Sequence, residues 1–96
     1  MDCQTARHIL RVTNSQGFHM RPCAAFAALA SRFQSEVKVL KDDRAVNGKS
    51  VLDLMTLGAA QGSELTLELT GADSKQAMDA LLVLWGTFAE KSEPEA

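Results

Sequence analysis

Between Ser63 and Thr70, Leu65, Leu67 and Leu69 alternate with Thr66, Glu68 and Thr70. That period of two is the signature of a strand with one apolar and one polar face. It predicts a sheet covered on one side only, and therefore an antiparallel sheet rather than a buried parallel one. Glu36 to Lys41 repeats the pattern, with Val37 and Val39 on one face. Arg7 to Thr13 reads as a first strand that turns Leu10 and Val12 inward, although its alternation is imperfect, and His8 falls at an edge or exposed position. After an Asp42-Asp43 turn, Arg44 to Val46 makes one more short strand.

Helical periodicity fills the intervals. Pro22 heads an apolar segment in which Phe26, Leu29, Ala30 and Phe33 recur at i, i+3, i+4 and i+7. A proline in a first turn loses nothing, because its missing N–H would have no partner there. Ser50 is placed to cap a short helix carrying Val51, Leu54 and Met55, and Gly58 to stop it. Asp73 or Ser74 caps a long last helix to about Lys91, whose buried stripe is Ala77, Leu81, Leu84 and Phe88; Met78 and Trp85 are packing residues in it. Asn14-Ser15-Gln16-Gly17 and Gln61-Gly62 are turns. The order β-α-β-β-α-β-α predicts an α+β open-faced sandwich, a four-stranded antiparallel sheet with three helices on one face.

With 96 residues the chain suits one domain, with a folded core over about 6–91 and a short polar tail over 92–96. Such a domain has one core and no room for a deep cavity between domains, so function belongs on the surface. A net charge of -2 supplies no broad basic field for nucleic acid. No run of about 18 apolar residues offers a membrane span. The N-terminal residues Met1 to Thr5 lack the pattern of a secretory signal, and Cys3 and Cys23 form no C-x-x-C pair. A reduced, cytoplasmic, monomeric protein without cofactor or metal is the simplest expectation.

The chemistry concentrates at Gly17-Phe18-His19-Met20-Arg21-Pro22. His19 stands at the predicted start of the first helix, where backbone N–H groups have no internal partners and the dipole is positive. A phosphate there would be held by the amides of Met20 and Arg21 and by the Arg21 guanidinium. The positive helix end favours a neutral imidazole, whose ring nitrogen is nucleophilic. The plain alternative is an exposed loop histidine ahead of an Arg-Pro helix start. Cys23 lies four residues on, and a metal pair or Cys-His nucleophile is conceivable; only two ligands are visible, so a small, partly buried packing cysteine is the simpler reading.

The segment Gly17 to Pro22 resembles the phosphorylation-site signature of HPr, the histidine-containing phosphocarrier of the phosphoenolpyruvate-dependent sugar phosphotransferase system. A second segment, Asn47-Gly48-Lys49-Ser50-Val51-Leu52-Asp53-Leu54-Met55-Thr56-Leu57-Gly58, resembles the family's regulatory serine motif. The resemblance covers about residues 6 to 90. It implies an HPr-like open-faced sandwich. It also implies that His19 accepts a phosphoryl group at Nδ1 from phosphorylated enzyme I and gives it to enzyme IIA domains, while Arg21 steadies the phosphate. The chain would then be a phosphoryl carrier and not a stand-alone catalyst.

By the same resemblance Ser50 matches a serine modified by a dedicated kinase in many relatives, which implies a serine kinase or phosphorylase and transcriptional regulators as further partners. Read from the residues alone, Ser50 is a helix cap. Asp53 adds negative charge to the same turn and would oppose a phosphate there. Val51, Leu52 and Met55 match the family's apolar docking patch, though Val51 and Met55 also fit a buried stripe and Leu52 is the preferred exposed contact. Ala28 and Ser31 stand where relatives often carry basic residues, which weakens electrostatic steering. The alternative function is a regulatory, nitrogen-type or Ser50-phosphorylated binding module that controls partner proteins rather than sugar uptake.

Overall fold

The structure is a computed structural model that describes residues 4–13 and 15–91. The expectations for Met1 to Cys3, for Asn14 within its turn, and for the tail Ser92 to Ala96 lie outside the described residues. The elements run β1 (Thr5–Arg11), α1 (Met20–Ala30), β2 (Glu36–Lys41), β3 (Arg44–Asn47), α2 (Val51–Met55), β4 (Glu64–Thr70) and α3 (Ser74–Lys91). This is the order read from the sequence. The strands form one sheet in the order β1-β4-β2-β3, and every neighbouring pair is antiparallel.

The leucine alternation works as its period demands. Leu65, Leu67 and Leu69 are all buried on β4, in register with Leu10, His8 and Ala6 of β1. On the other flank Val37 and Val39 of β2 pair with Leu69 and Leu67. Full burial of each such side chain favours folding by about 1.5–3 kcal/mol before chain entropy is charged. The core continues into the helices through Phe26, Ala27 and Ala30 of α1, Leu54 of α2, and Ala77 and Leu81 of α3. The opposite sheet face carries Arg7, Glu68 and Lys38 and stays open. Arg7 Nε lies 3.6 Å from the Glu68 carboxylate across that face.

Strand β1 begins two residues earlier than the sequence suggests and ends at Arg11. Its length is set by its partner, since Thr5 pairs with Thr70 and Arg11 with Glu64 at the two ends of β4. Val12 faces inward as expected, but it sits just past the strand: its N–H donates to Ser63 and its carbonyl accepts from Gly62. Ile9 breaks the apolar pattern because it points to the open face, 63% exposed. His8 is exposed on this edge strand.

Helix α1 contains no β-branched residue and is rich in alanine, the best helix former. It ends before Phe33, where Arg32 and Phe33 donate back three residues, to Leu29 and Ala30, and tighten the last turn. Phe33 therefore packs against the core from outside the helix. Helix α2 has five residues, too few to persist alone. It is held at one end by its Ser50 cap and at the other by Arg44, whose Nη1 donates to the Thr56 carbonyl at 2.6 Å and Nη2 to Thr56 Oγ1 at 2.9 Å. Gly58, at φ +58°, turns the chain away just beyond it.

The entry to α3 is tied to the end of α1. The Asp73 carbonyl accepts the Ala77 N–H and so begins the helix. Its carboxylate turns back instead to the loop before β2, where Gln34 and Ser35 N–H donate at 2.9 Å and the Ser35 hydroxyl donates as well. Those bonds, the Ser35 hydroxyl first, hold the Asp73 carboxyl below the usual carboxylate range.

Candidate functional site

The two short motifs start helices in opposite ways. At α2 the expected devices are present: the Ser50 hydroxyl accepts the Asp53 N–H at 3.2 Å, and Asp53 places a carboxylate in the first turn. At α1 they are missing. The cap position is His19, whose side chain makes no capping hydrogen bond, and no acidic residue stands in the first turn. Arg21 puts a cation there instead. Serine, threonine, aspartate or asparagine at a cap, and an anion in the first turn, each stabilise a helix by up to about 1 kcal/mol. An 11-residue helix that forgoes both leaves its first amides and its positive dipole end uncommitted.

Pro22 narrows the set of donors. It occupies the third helical position, is buried and carries no N–H, so the first-turn amides at this end belong to Met20 and Arg21. Both side chains are exposed, Met20 to 61%. Among the described residues the Arg21 guanidinium has no hydrogen-bond or ion-pair partner. His19 itself is half-buried. An imidazole, two backbone amides and an unpaired guanidinium thus share one helix start, an arrangement suited to an anion that arrives and leaves.

The loop that delivers His19 is fixed from behind. Phe18 is buried and meets Phe26 edge-on at 5.9 Å and Trp85 at 5.1 Å. Trp85 is in turn anchored by its Nε1–H to the Arg11 carbonyl at 3.0 Å, so it is a packing residue. The Phe18 N–H donates to the Ala59 carbonyl at 2.9 Å. Gly17 precedes it at φ +75°, and a Cβ there would lie 2.7 Å from the same Ala59 oxygen. Only glycine fits both that dihedral and that approach.

Cys23 is fully buried rather than partly so, and its Sγ donates to the Phe18 carbonyl at 3.3 Å. Burial pushes the thiol up to about 11. Such a thiol is neither a ready metal ligand nor a nucleophile. Among the described residues no three His, Cys, Asp or Glu side chains come together as a metal site, and no helix is long and apolar enough to cross a membrane.

The second motif sits on α2, which packs against α1. Leu52 is 76% exposed and Met55 39%, while Val51 is half-buried. The buried residue of this helix is Leu54, so Met55 leaves the core stripe that its spacing also allowed. Sequence reasoning missed Arg44 as the clamp on this helix, and Phe18 and Ala59 as the supports of His19. It also missed a bond from the Asn47 N–H to the Asp53 carboxylate at 3.3 Å.

The fold and the site together define a class: a small open-faced α+β protein that presents a histidine at an uncapped helix start. Comparison with known proteins makes the class specific. The family model described as the PTS HPr component phosphorylation site matches residues 6–85. The phosphocarrier protein HPr of Neisseria meningitidis serogroup A is 45% identical over 82 residues, covering 84% of this chain and 92% of that protein. The HPr-like protein Crh of Halalkalibacterium halodurans is 44% identical over 75 residues, covering 78% of this chain and 84% of that protein. The crystal structure of HPr from Thermoanaerobacter tengcongensis superposes with a TM-score of 0.84 at 34% identity, covering 94% of this chain and 99% of that one. The chain belongs to the HPr family of phosphotransferase-system phosphocarriers.

Proposed function

We propose that His19 accepts a phosphoryl group from phosphorylated enzyme I and passes it to an enzyme IIA domain. The observation that carries this reading is the start of α1, where a half-buried histidine replaces a capping residue and makes no capping bond. In the transfer, the Nδ1 lone pair attacks phosphorus and the bond from phosphorus to the donor breaks. The Met20 and Arg21 amides and the Arg21 guanidinium receive the phosphoryl oxygens. The helix dipole adds to that field without a full charge. A carrier must hold its cargo weakly enough to release it, and two amides with one exposed guanidinium suit that need.

Partner proteins would dock on Val51, Leu52 and Met55, with exposed Met20 beside the histidine. All of these residues belong to one chain, so a monomer suffices as the working unit. Incubation with phosphoenolpyruvate and enzyme I tests the proposal. One acid-labile phosphate is expected on the wild type and none on His19→Ala; labelling that survives in His19→Ala would sink it.

A second reading, a regulatory module switched at Ser50, is favoured by the similarity to the HPr-like protein Crh. A serine kinase or phosphorylase and transcriptional regulators would then be its partners. Against easy modification stands Asp53, whose N–H already binds the Ser50 hydroxyl and whose carboxylate would face an added phosphate. A serine kinase assay on the wild type and Ser50→Ala separates this reading from the carrier role.

A further inference from the structure

The histidine's backbone is held by one residue at two points. The Cys23 thiol donates to the carbonyl of Phe18 at 3.3 Å, and the Cys23 N–H donates to the carbonyl of His19 at 3.0 Å. These carbonyls belong to the two peptide units that flank the His19 Cα. A peptide unit is planar, so a hydrogen bond to each carbonyl restrains the two dihedrals between the units. The resulting pair, φ -96° and ψ -166°, is the extended conformation of a cap residue. We propose that Cys23 is a positioning residue for His19, setting the direction from which the imidazole meets an incoming phosphoryl group.

The helical N–H bond would form with any residue but proline at this place. The thiol bond is specific to what the side chain donates. With Cys23 fully buried and its thiol pushed up to about 11, the sulfur keeps its proton throughout the neutral range and stays a donor. Alternatively, cysteine is there as a small apolar filler in the core cluster that also holds Phe18 and Phe26. The two roles separate by substitution. Cys23→Ser keeps a donor, whereas Cys23→Ala and Cys23→Val remove it, the valine without leaving a void.

The inference rests on His19 being the phosphoryl acceptor, and the two are tested apart. Transfer from phosphorylated enzyme I would be measured on the wild type, the three Cys23 variants and His19→Ala. Cys23→Ala and Cys23→Val should lower kcat by about three- to tenfold with KM little changed, and Cys23→Ser should recover most of the rate. The amide-proton coupling of His19, which reports φ, should move in the two variants that lack a donor. Wild-type kcat and an unmoved coupling in Cys23→Val would overturn the positioning role. Transfer to His19→Ala would overturn the carrier reading instead, whatever Cys23 does.

A measurement that needs no core substitution completes the test. On a Cys3→Ser background the protein keeps one thiol, because the chain has two cysteines. The infrared S–H stretch should lie below that of a free thiol, as it does for a donor. A band at the free-thiol position would refute the bond, even if every Cys23 variant failed to fold.

Discussion

Gly17→Ala is the most informative small change behind the site. The added methyl would lie 2.7 Å from the Ala59 carbonyl oxygen and 3.1 Å from the Ala60 Cα, both backbone atoms that cannot rotate away. The residue would also have to keep φ +75°, where an L side chain costs about 1–2 kcal/mol. Retreat of Ala59 would lengthen the bond it accepts from Phe18, at about 0.5–1.5 kcal/mol. Loss of glycine's freedom in the unfolded chain returns about 0.4–1 kcal/mol. The net destabilisation is about 0.5–3 kcal/mol, read as a shift in the midpoint of urea unfolding. Phe18 and His19 would move with the loop, so phosphoryl transfer should fall further than stability does. A variant within about 0.5 kcal/mol of wild type, transferring at full rate, would refute the claim that this close approach sets the loop.

Arg21→Ala should slow phosphoryl transfer by about 10- to 100-fold, the worth of a charge-assisted contact to phosphate. Thermal stability should hold or rise slightly, because a cation leaves the positive end of α1; a large loss of stability would mark the arginine as structural. Ser50→Ala should cost about 1 kcal/mol through the lost cap, a fall of roughly 4–8 °C in Tm by calorimetry, with transfer to His19 unchanged. For Asp73 the folded carboxyl is the stronger acid, so the unfolded chain binds its proton first as pH falls. Its contribution is complete above the ordinary carboxylate pKa of ~3.9 and is lost as pH drops through the lower folded value. Asp73→Asn should therefore lower stability at neutral pH and flatten its decline in acid, checked by urea unfolding across that range.

How much of this was legible in the sequence depends on whether the deciding contact is local. Strands β2 and β4 were readable because Val37 and Val39, and the three leucines of β4, alternate within one strand and face one core. The Ser50 cap was readable for the same reason, since it reaches only three residues on, whereas the Asp73 carboxylate offered as a cap for α3 binds Gln34 and Ser35 instead. Strand β1 was misplaced at both ends: Thr5 and Ala6 carry little apolar signal, and Ile9 points to the open face. Its limits come from the length of β4, more than 50 residues away. Within the site, His19, Met20 and Arg21 were visible as neighbours at a helix start. Their supports were not. Ala59 is brought to Phe18 by the fold, Arg44 reaches Thr56 across a strand-to-helix connection, and the Cys23 thiol meets the Phe18 carbonyl in a loop that follows Gly17 at positive φ.

The direct test of a carrier is a chase. Protein labelled by enzyme I and phosphoenolpyruvate would be freed of both and mixed with an enzyme IIA domain, and the phosphate followed on each. The label is expected to leave His19 and appear on the IIA domain, and the discharged protein to be charged again. Label that stays on the chain, or that passes only to water, would contradict the carrier role.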